Sequence, residues 1–233
     1  MPASVSIRVI LVRPLHSSNV GLICRVMKNF GFYDLVIVQP ARKNVKTKTA
    51  YMYAKHSREV LENARVVPTL EVAVSDRQLV VGTTGVPNRF HRQLKHCIAL
   101  PELRGRLKGK VALVFGSEGS GLNEAETNAC DVLVYVPTNA DHTVLNVSHA
   151  VAVVLHALSG MTWQPDPDAA SLQQRRVLEA KFVRLISGAD RIKDKKKVAL
   201  SFRKLLSKAR PTQDEVRTLM AGLAGLEKRG KKP

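Results

Sequence analysis

VPTNADHTVLNVSHA, residues Val136–Ala150, is the stretch on which the reading of this chain turns. It leaves an apolar run, Val132–Val136 (VLVYV), crosses a polar segment opened by Pro137, and re-enters an apolar pattern at Asn146 that continues with helical spacing to Ser159. A short, near-continuous apolar run, a proline-opened loop and a long apolar helix spell the end of a buried strand and the crossover that follows it. Taken alone, Leu145-Asn146-Val147-Ser148 is a polar interruption at a helix start, consistent with a simple N-cap.

The same signal recurs toward the N-terminus. Ser6–Val12, Leu35–Gln39, Gln78–Gly82 and Val111–Gly116 read as four more buried strands. Ser18 and Asn19 offer N-caps for a helix through Phe30, which Gly31 stops, and helical segments are predicted over Thr49–Asn63 and Thr69–Ser75. Strands alternating with helices predict an α/β fold, a parallel sheet with helices on both faces. Thr162–Asp168 (TWQPDPD) reads as a linker between a domain of residues 1–161 and a basic helical extension of residues 169–233. In that extension Ala169–Ser187 and Lys193–Lys208 read as helices. Thr212-Gln213-Asp214-Glu215, after Pro211, spells a capping box opening a last one.

Composition narrows the partners. The 233 residues carry a net charge of +18, of which residues 161–233 hold +10 and the longer remainder +8. So dense a basic arm on a less basic body supplies counterion-release affinity for phosphates, pointing to RNA backbone contacts by the tail, Arg42–Lys48 and Arg89–Lys95. A solvated charged face on a dimerising helical arm is the plainer alternative. No apolar run approaches the roughly 18 residues of a membrane span, and MPASVSIRV lacks the layout of a signal peptide. The three cysteines Cys24, Cys97 and Cys130 show no zinc spacing, so a metal is not expected, and a reduced, cytoplasmic setting is.

Three loops follow three strands at their carboxyl ends, where open α/β sheets bind ligands: Gly82-Thr83-Thr84-Gly85, Gly116-Ser117-Glu118-Gly119-Ser120-Gly121 and Pro137-Thr138-Asn139. Any one is an ordinary turn; three in register are harder to dismiss. The second lacks the Gly-Lys-Ser/Thr ending of a phosphate-binding loop, and Glu118 would repel phosphate; it could face a cation, a hydroxyl or an arginine. Arg25 sits in an apolar stretch, six residues after Asn19, and needs a partner if buried; a structural pair with Glu118 is one option. His142 and His149 are conceivable bases, but His149 lies in an apolar helix and reads as packed, as does Trp163 at the linker.

Taken together, Asn19-x-Gly-x-x-x-Arg25, Phe115–Leu122 and Pro137–Ala150 resemble, in order and separation, the three motifs of the SpoU class of SPOUT RNA 2′-O-ribose methyltransferases over about residues 5–160. Within that class, the placement of the domain and the helical extension look like the enzymes that act in the tRNA anticodon loop, which implies nucleotide 32. An rRNA methyltransferase and a non-catalytic RNA-binding assembly factor are the alternatives. The resemblance implies a trefoil-knotted domain, a homodimer with composite active sites, and S-adenosylmethionine as cofactor. The implied cofactor residues are Thr83, Thr84, Gly85, Gly116, Ser117, Glu118, Gly121, Val136, Pro137, Leu145 and Asn146. The implied reaction centre is Asn19, Arg25, Glu118 and Asn146. Val144 departs from the serine that many relatives carry there, with Thr143 or His142 as substitutes, and Ser117 replaces a larger residue. A guanidinium stays protonated, so Arg25 is expected to stabilise the developing alkoxide and orient a phosphate, leaving the proton to phosphate, water or Glu118.

Overall fold

The apolar runs pair into a single seven-stranded sheet in the order β3-β2-β1-β6-β4-β7-β5, with every pairing parallel. The strands are β1 (Ile7–Val12), β2 (Asp34–Val38), β3 (Arg65–Val67), β4 (Leu79–Thr83), β5 (Cys97–Ala99), β6 (Val111–Phe115) and β7 (Val132–Tyr135). This computed structural model describes residues 7–40, 45–86, 97–161, 165–189 and 191–229. Arg89–Lys95, Trp163 and part of Arg42–Lys48 and of the Thr162–Asp168 linker lie outside them.

Valine, isoleucine and leucine fill β1, β2 and β6 without alternation because both faces of the sheet are covered. On one face Val9, Leu11, Ile37, Val81, Leu113 and Val134 share a core with Val20, Ile23 and Met27 of α1 (Ser17–Asn29) and Val151, Val154 and Leu155 of α7 (Val147–Leu158). On the other face buried Arg8 donates to the Ala73 carbonyl of α4 (Leu70–Val74) at 2.8 Å and to Asp34 Oδ2 at 2.8 Å. A charge inside β1 is tolerated because these acceptors meet it. Shorter helices are α2 (Lys48–Ala54), α3 (Arg58–Glu62), α5 (Leu100–Leu103) and α6 (Glu124–Ala129).

Three expectations are corrected. The sheet has seven strands rather than five, because β3 and β5 are too short to carry a periodicity of their own. Thr49–Asn63 is not one helix: Lys55, at φ +45°, breaks it into α2, a 3-10 turn and α3. Gln78 does not start β4; its buried side-chain amide donates to the carbonyls of Asp166 (2.5 Å) and Ala169 (2.9 Å).

The chain divides into two compact units, one of Met1–Val74 and Leu79–Pro165, the other of Ser75–Gln78 and Asp166–Pro233. The second unit holds α8 (Leu172–Ser187), α9 (Lys195–Ala209) and α10 (Gln213–Arg229) around Ala170, Leu178, Leu206 and Val216. Ala169 does not join α8 but bridges to Thr212, and Ser171 with Gln174 caps the helix instead. The capping box of α10 forms as spelled: Thr212 N donates to Glu215 Oε2 (2.7 Å) and Glu215 N to Thr212 Oγ1 (3.2 Å). Buried Glu179 is matched by Arg176 at 2.8 Å and Arg203 at 2.6 Å, and Phe182 stacks on Phe202.

Candidate active site

Because β6, β4 and β7 are neighbours in the sheet, the loops at their carboxyl ends lie side by side. They enclose a cavity of about 250 Å³. Part of its lining is glycine, where only main chain can meet a ligand. A Cβ on Gly116 would stand 2.2 Å from the Gly121 carbonyl carbon and 2.4 Å from Leu122 N, so only glycine lets the two ends of the Gly116–Leu122 loop touch. That loop closes on itself through Gly121 N donating to Ser117 O at 2.8 Å, with Gly121 at φ +65°. The β4 loop is tied to its neighbours on both sides, Thr83 Oγ1 to Val114 O at 3.1 Å and Thr84 N to Val134 O at 2.9 Å.

Of the residues that the motifs single out for cofactor binding, Thr83, Thr84, Gly85, Gly116, Ser117, Glu118, Gly121, Val136 and Leu145 line this cavity. Pro137 and Asn146 adjoin lining residues without being among them. Sequence reading missed the apolar wall formed by Phe115, Leu122, Val134, Val147, Ala150 and Val154. The signal was available: the apolar face of α7 has a side turned to the loops as well as one turned to the sheet. Val144 lines the cavity and its Cγ2 would stand 3.1 Å from a Cβ on Gly85, so it packs apolar surface over the β4 loop.

Glu118 does not pair with Arg25. Oε1 accepts from Asn19 Nδ2 at 2.9 Å and from His16 N at 3.3 Å, while Oε2 accepts from Leu15 N at 2.9 Å. Burial raises its pKa, but these donors outweigh that effect and hold the carboxyl below the usual carboxylate range. A carboxylate so held is a poor proton acceptor, and its visible work is to fix the entry to α1. Asn19 is correspondingly not the N-cap; α1 starts at Ser17 after His16, and Asn19 is buried inside the first turn.

Arg25 is exposed and makes no hydrogen bond or ion pair among the described residues, and it does not line the cavity. Asn146 caps α7, its Oδ1 accepting from Ser148 N and Ser148 Oγ, both at 2.8 Å. With the oxygen fixed by two donors, the amide Nδ2 is the end left to donate. His149 is exposed on α7, not packed, and His142 is exposed in the loop before it. Burial pushes Cys24 up to about 12 and Cys97 up to about 11, which keeps both thiols protonated near neutral pH. Among the described residues no cluster of His, Cys, Asp and Glu has the makings of a metal site, and no helix is long and apolar enough to cross a membrane.

The model of the SpoU rRNA methylase family matches residues 6–156. The tRNA (cytidine-2′-O-)-methyltransferase TrmJ of Methanocaldococcus jannaschii is 36% identical over 228 residues, covering 93% of this chain and 98% of that one. Among solved structures, TrmJ from Z. mobilis superposes with a TM-score of 0.78 at 28% identity, covering 94% of this chain and 98% of its own. The SpoU methyltransferase AviRb of Streptomyces viridochromogenes, solved with AdoMet, shares the fold at a TM-score of 0.51 and 22% identity, covering 64% of this chain and 55% of its own.

Proposed function

The chain belongs to the SpoU rRNA methylase family, and from that premise we propose that it methylates a ribose 2′-hydroxyl of RNA, most directly of tRNA, using S-adenosylmethionine. The observation that carries the reading is the cavity at the ends of β4, β6 and β7, where nine of the eleven residues implied to hold the cofactor come together in the lining. The tRNA reading rests on the two TrmJ relatives, which match this chain over nearly its whole length and theirs.

The residues fit the cofactor. Glycine backbone at Gly85, Gly116 and Gly121 admits close approach of an extended ligand, apolar Leu122, Val134 and Val154 suit a purine face, and the Thr83–Gly85 and Gly116–Gly121 main chain offers donors and acceptors. Bound there, S-adenosylmethionine would supply an activated methyl group; the protein's part is position and electrostatics. Asn146 Nδ2 is free to donate to substrate. Glu118 orients Asn19 and the first turn of α1 rather than taking the proton. Arg25 serves as the cation that stabilises the developing alkoxide and aligns a neighbouring phosphate. Its exposure and its absence from its own cavity support a homodimer in which each Arg25 acts at the partner's site. The exposed lysines of α9, Lys196 and Lys197 among them, dock RNA phosphates. Within tRNA, we assign the anticodon-loop nucleotide 32.

Mapping 2′-O-methyl groups in tRNA and rRNA before and after loss of the gene tests the assignment. Disappearance at tRNA position 32 alone is expected; loss confined to rRNA would overturn the tRNA substrate and leave the chemistry standing. RNA binding with no transfer of label from the methyl-tritiated cofactor would overturn the enzyme reading itself.

A further inference from the structure

Two loops are stitched together by charges that cross in opposite directions. From the Gly116–Leu122 loop, Glu118 reaches the main chain at Leu15 and His16. From the other side, Arg13, the residue after β1, reaches back: its Nη2 donates to Gly121 O at 3.2 Å and its Nη1 pairs with Glu126. Arg13 stands at φ +50°, a left-handed backbone conformation that costs a non-glycine residue, and its own N–H is spent on Val38 O at 2.8 Å. Glu126 is buried and is itself fixed, accepting from Asn123 N at 2.8 Å while Asn123 Oδ1 takes Glu126 N at 2.9 Å.

Gly121 has no side chain with which to be held. Its peptide lines the cavity, is packed against Gly116 with no room for a Cβ there, and carries the positive φ that closes the loop. Rotation of the Gly121 peptide would therefore reshape the cavity lining. The contact by which a side chain opposes that rotation is the Arg13 guanidinium, whose two terminal nitrogens diverge in a rigid plane to a carbonyl and a carboxylate, where an ammonium would offer a single point charge on a flexible stem. Arg13 itself does not line the cavity.

We propose that Arg13 is a positioning residue for the cofactor cradle, anchoring the Gly121 peptide against Glu126 so that the loop is pre-formed for the adenosyl ligand. This rests on the cofactor reading above. The effect falls on cofactor affinity, because the group held lines the cavity.

Calorimetric binding of S-adenosylhomocysteine to the full-length protein, with melting curves alongside, decides it. Arg13→Gln should weaken binding ~10-fold, the scale of one lost charge-assisted hydrogen bond, with Arg13→Lys in between. The loss should appear in KM for S-adenosylmethionine and leave KM for RNA unmoved. Adding Glu126→Gln to Arg13→Gln should not restore affinity, since removing the stray charge does not hold Gly121. Wild-type affinity in Arg13→Gln, or restoration in the double variant, would overturn the proposal. A wild-type protein that binds no S-adenosylhomocysteine would overturn the cofactor reading, and this inference with it.

Discussion

Glu118→Gln separates two roles that a carboxylate at the edge of this cavity could have. The carboxylate accepts three hydrogen bonds, from Asn19 Nδ2 and the main-chain N–H groups of Leu15 and His16. A glutamine offers one oxygen: in the place of Oε1 it keeps Asn19 Nδ2 and His16 N, the Leu15 N–H meets an NH2 group, and the two bonds that remain lose their charge. Charge-assisted bonds of this kind contribute roughly 1.5–3 kcal/mol each when shielded. For a half-buried group, solvent screening brings the two shorter ones down to about 1 kcal/mol apiece. With the Leu15 bond lost and the Asn19 bond weakened, the expected cost is ~1–2 kcal/mol, a fall in Tm of about 2–8 °C at ~2–4 °C per kcal/mol for a unit of this size. The pH dependence has a definite sign. A carboxyl whose folded pKa lies below its unfolded value stabilises fully above the unfolded pKa of ~4.3, and that stability drains away as pH falls through the folded value. Scanning calorimetry of wild type and variant from pH 7 to pH 3 should therefore show a gap that is widest at neutral pH and closes in acid. Equal Tm values at pH 7, or a gap that widens in acid, would refute the clamp. Turnover reduced by orders of magnitude with the Tm untouched would mark Glu118 as a proton acceptor instead.

Other outcomes follow from the same geometry. Gly116→Ala sets a Cβ against backbone at 2.2 Å with nothing flexible to yield; it should cost several degrees of Tm (overpacking, ~1–3 kcal/mol) and abolish measurable S-adenosylhomocysteine binding by calorimetry. Arg25→Ala should leave the Tm within about 1 °C, since an exposed side chain with no partner among the described residues is removed, while single-turnover methylation falls ~100-fold or more, the scale of one lost oxyanion-stabilising donor. Charge reversal at Lys196 and Lys197 should weaken RNA binding and flatten its dependence on salt by about 0.7–0.9 log units per lost phosphate contact, measured by filter binding across potassium chloride concentrations; an unchanged slope would remove α9 from the RNA surface.

What could be read from residue order and what could not divide along a physical line. Buried parallel strands such as Val111–Phe115 announce themselves, because a strand covered on both faces is apolar at every position. β3, with Val66 half exposed at the sheet's edge, and β5, three residues long, have too little buried surface to write a pattern. The break at Lys55 carries no glycine or proline to mark it. The cavity's glycine loops were legible from composition at strand ends. The partner of Glu118 was not, since it comes from the far end of the unit's chain, and local cues had Asn19 capping a helix rather than meeting a carboxylate. A trefoil knot, implied by resemblance, is something no local rule would select.

The sheet order also bears on how the protein is made. β1 takes β2 as a neighbour early in synthesis, but its other edge waits for β6, and Ile7 finally pairs with Val111. β4 is flanked by β6 and β7, both translated after it. A chain emerging from the ribosome therefore carries β1 with an open edge until β6 is available and β4 with one until β7 is, and pairings so distant in sequence close slowly. The cavity, lined as far along the chain as Val154, is complete only once that sheet has closed, so retention by an immobilised adenosyl ligand would capture chains whose sheet is assembled and pass over those whose sheet is not.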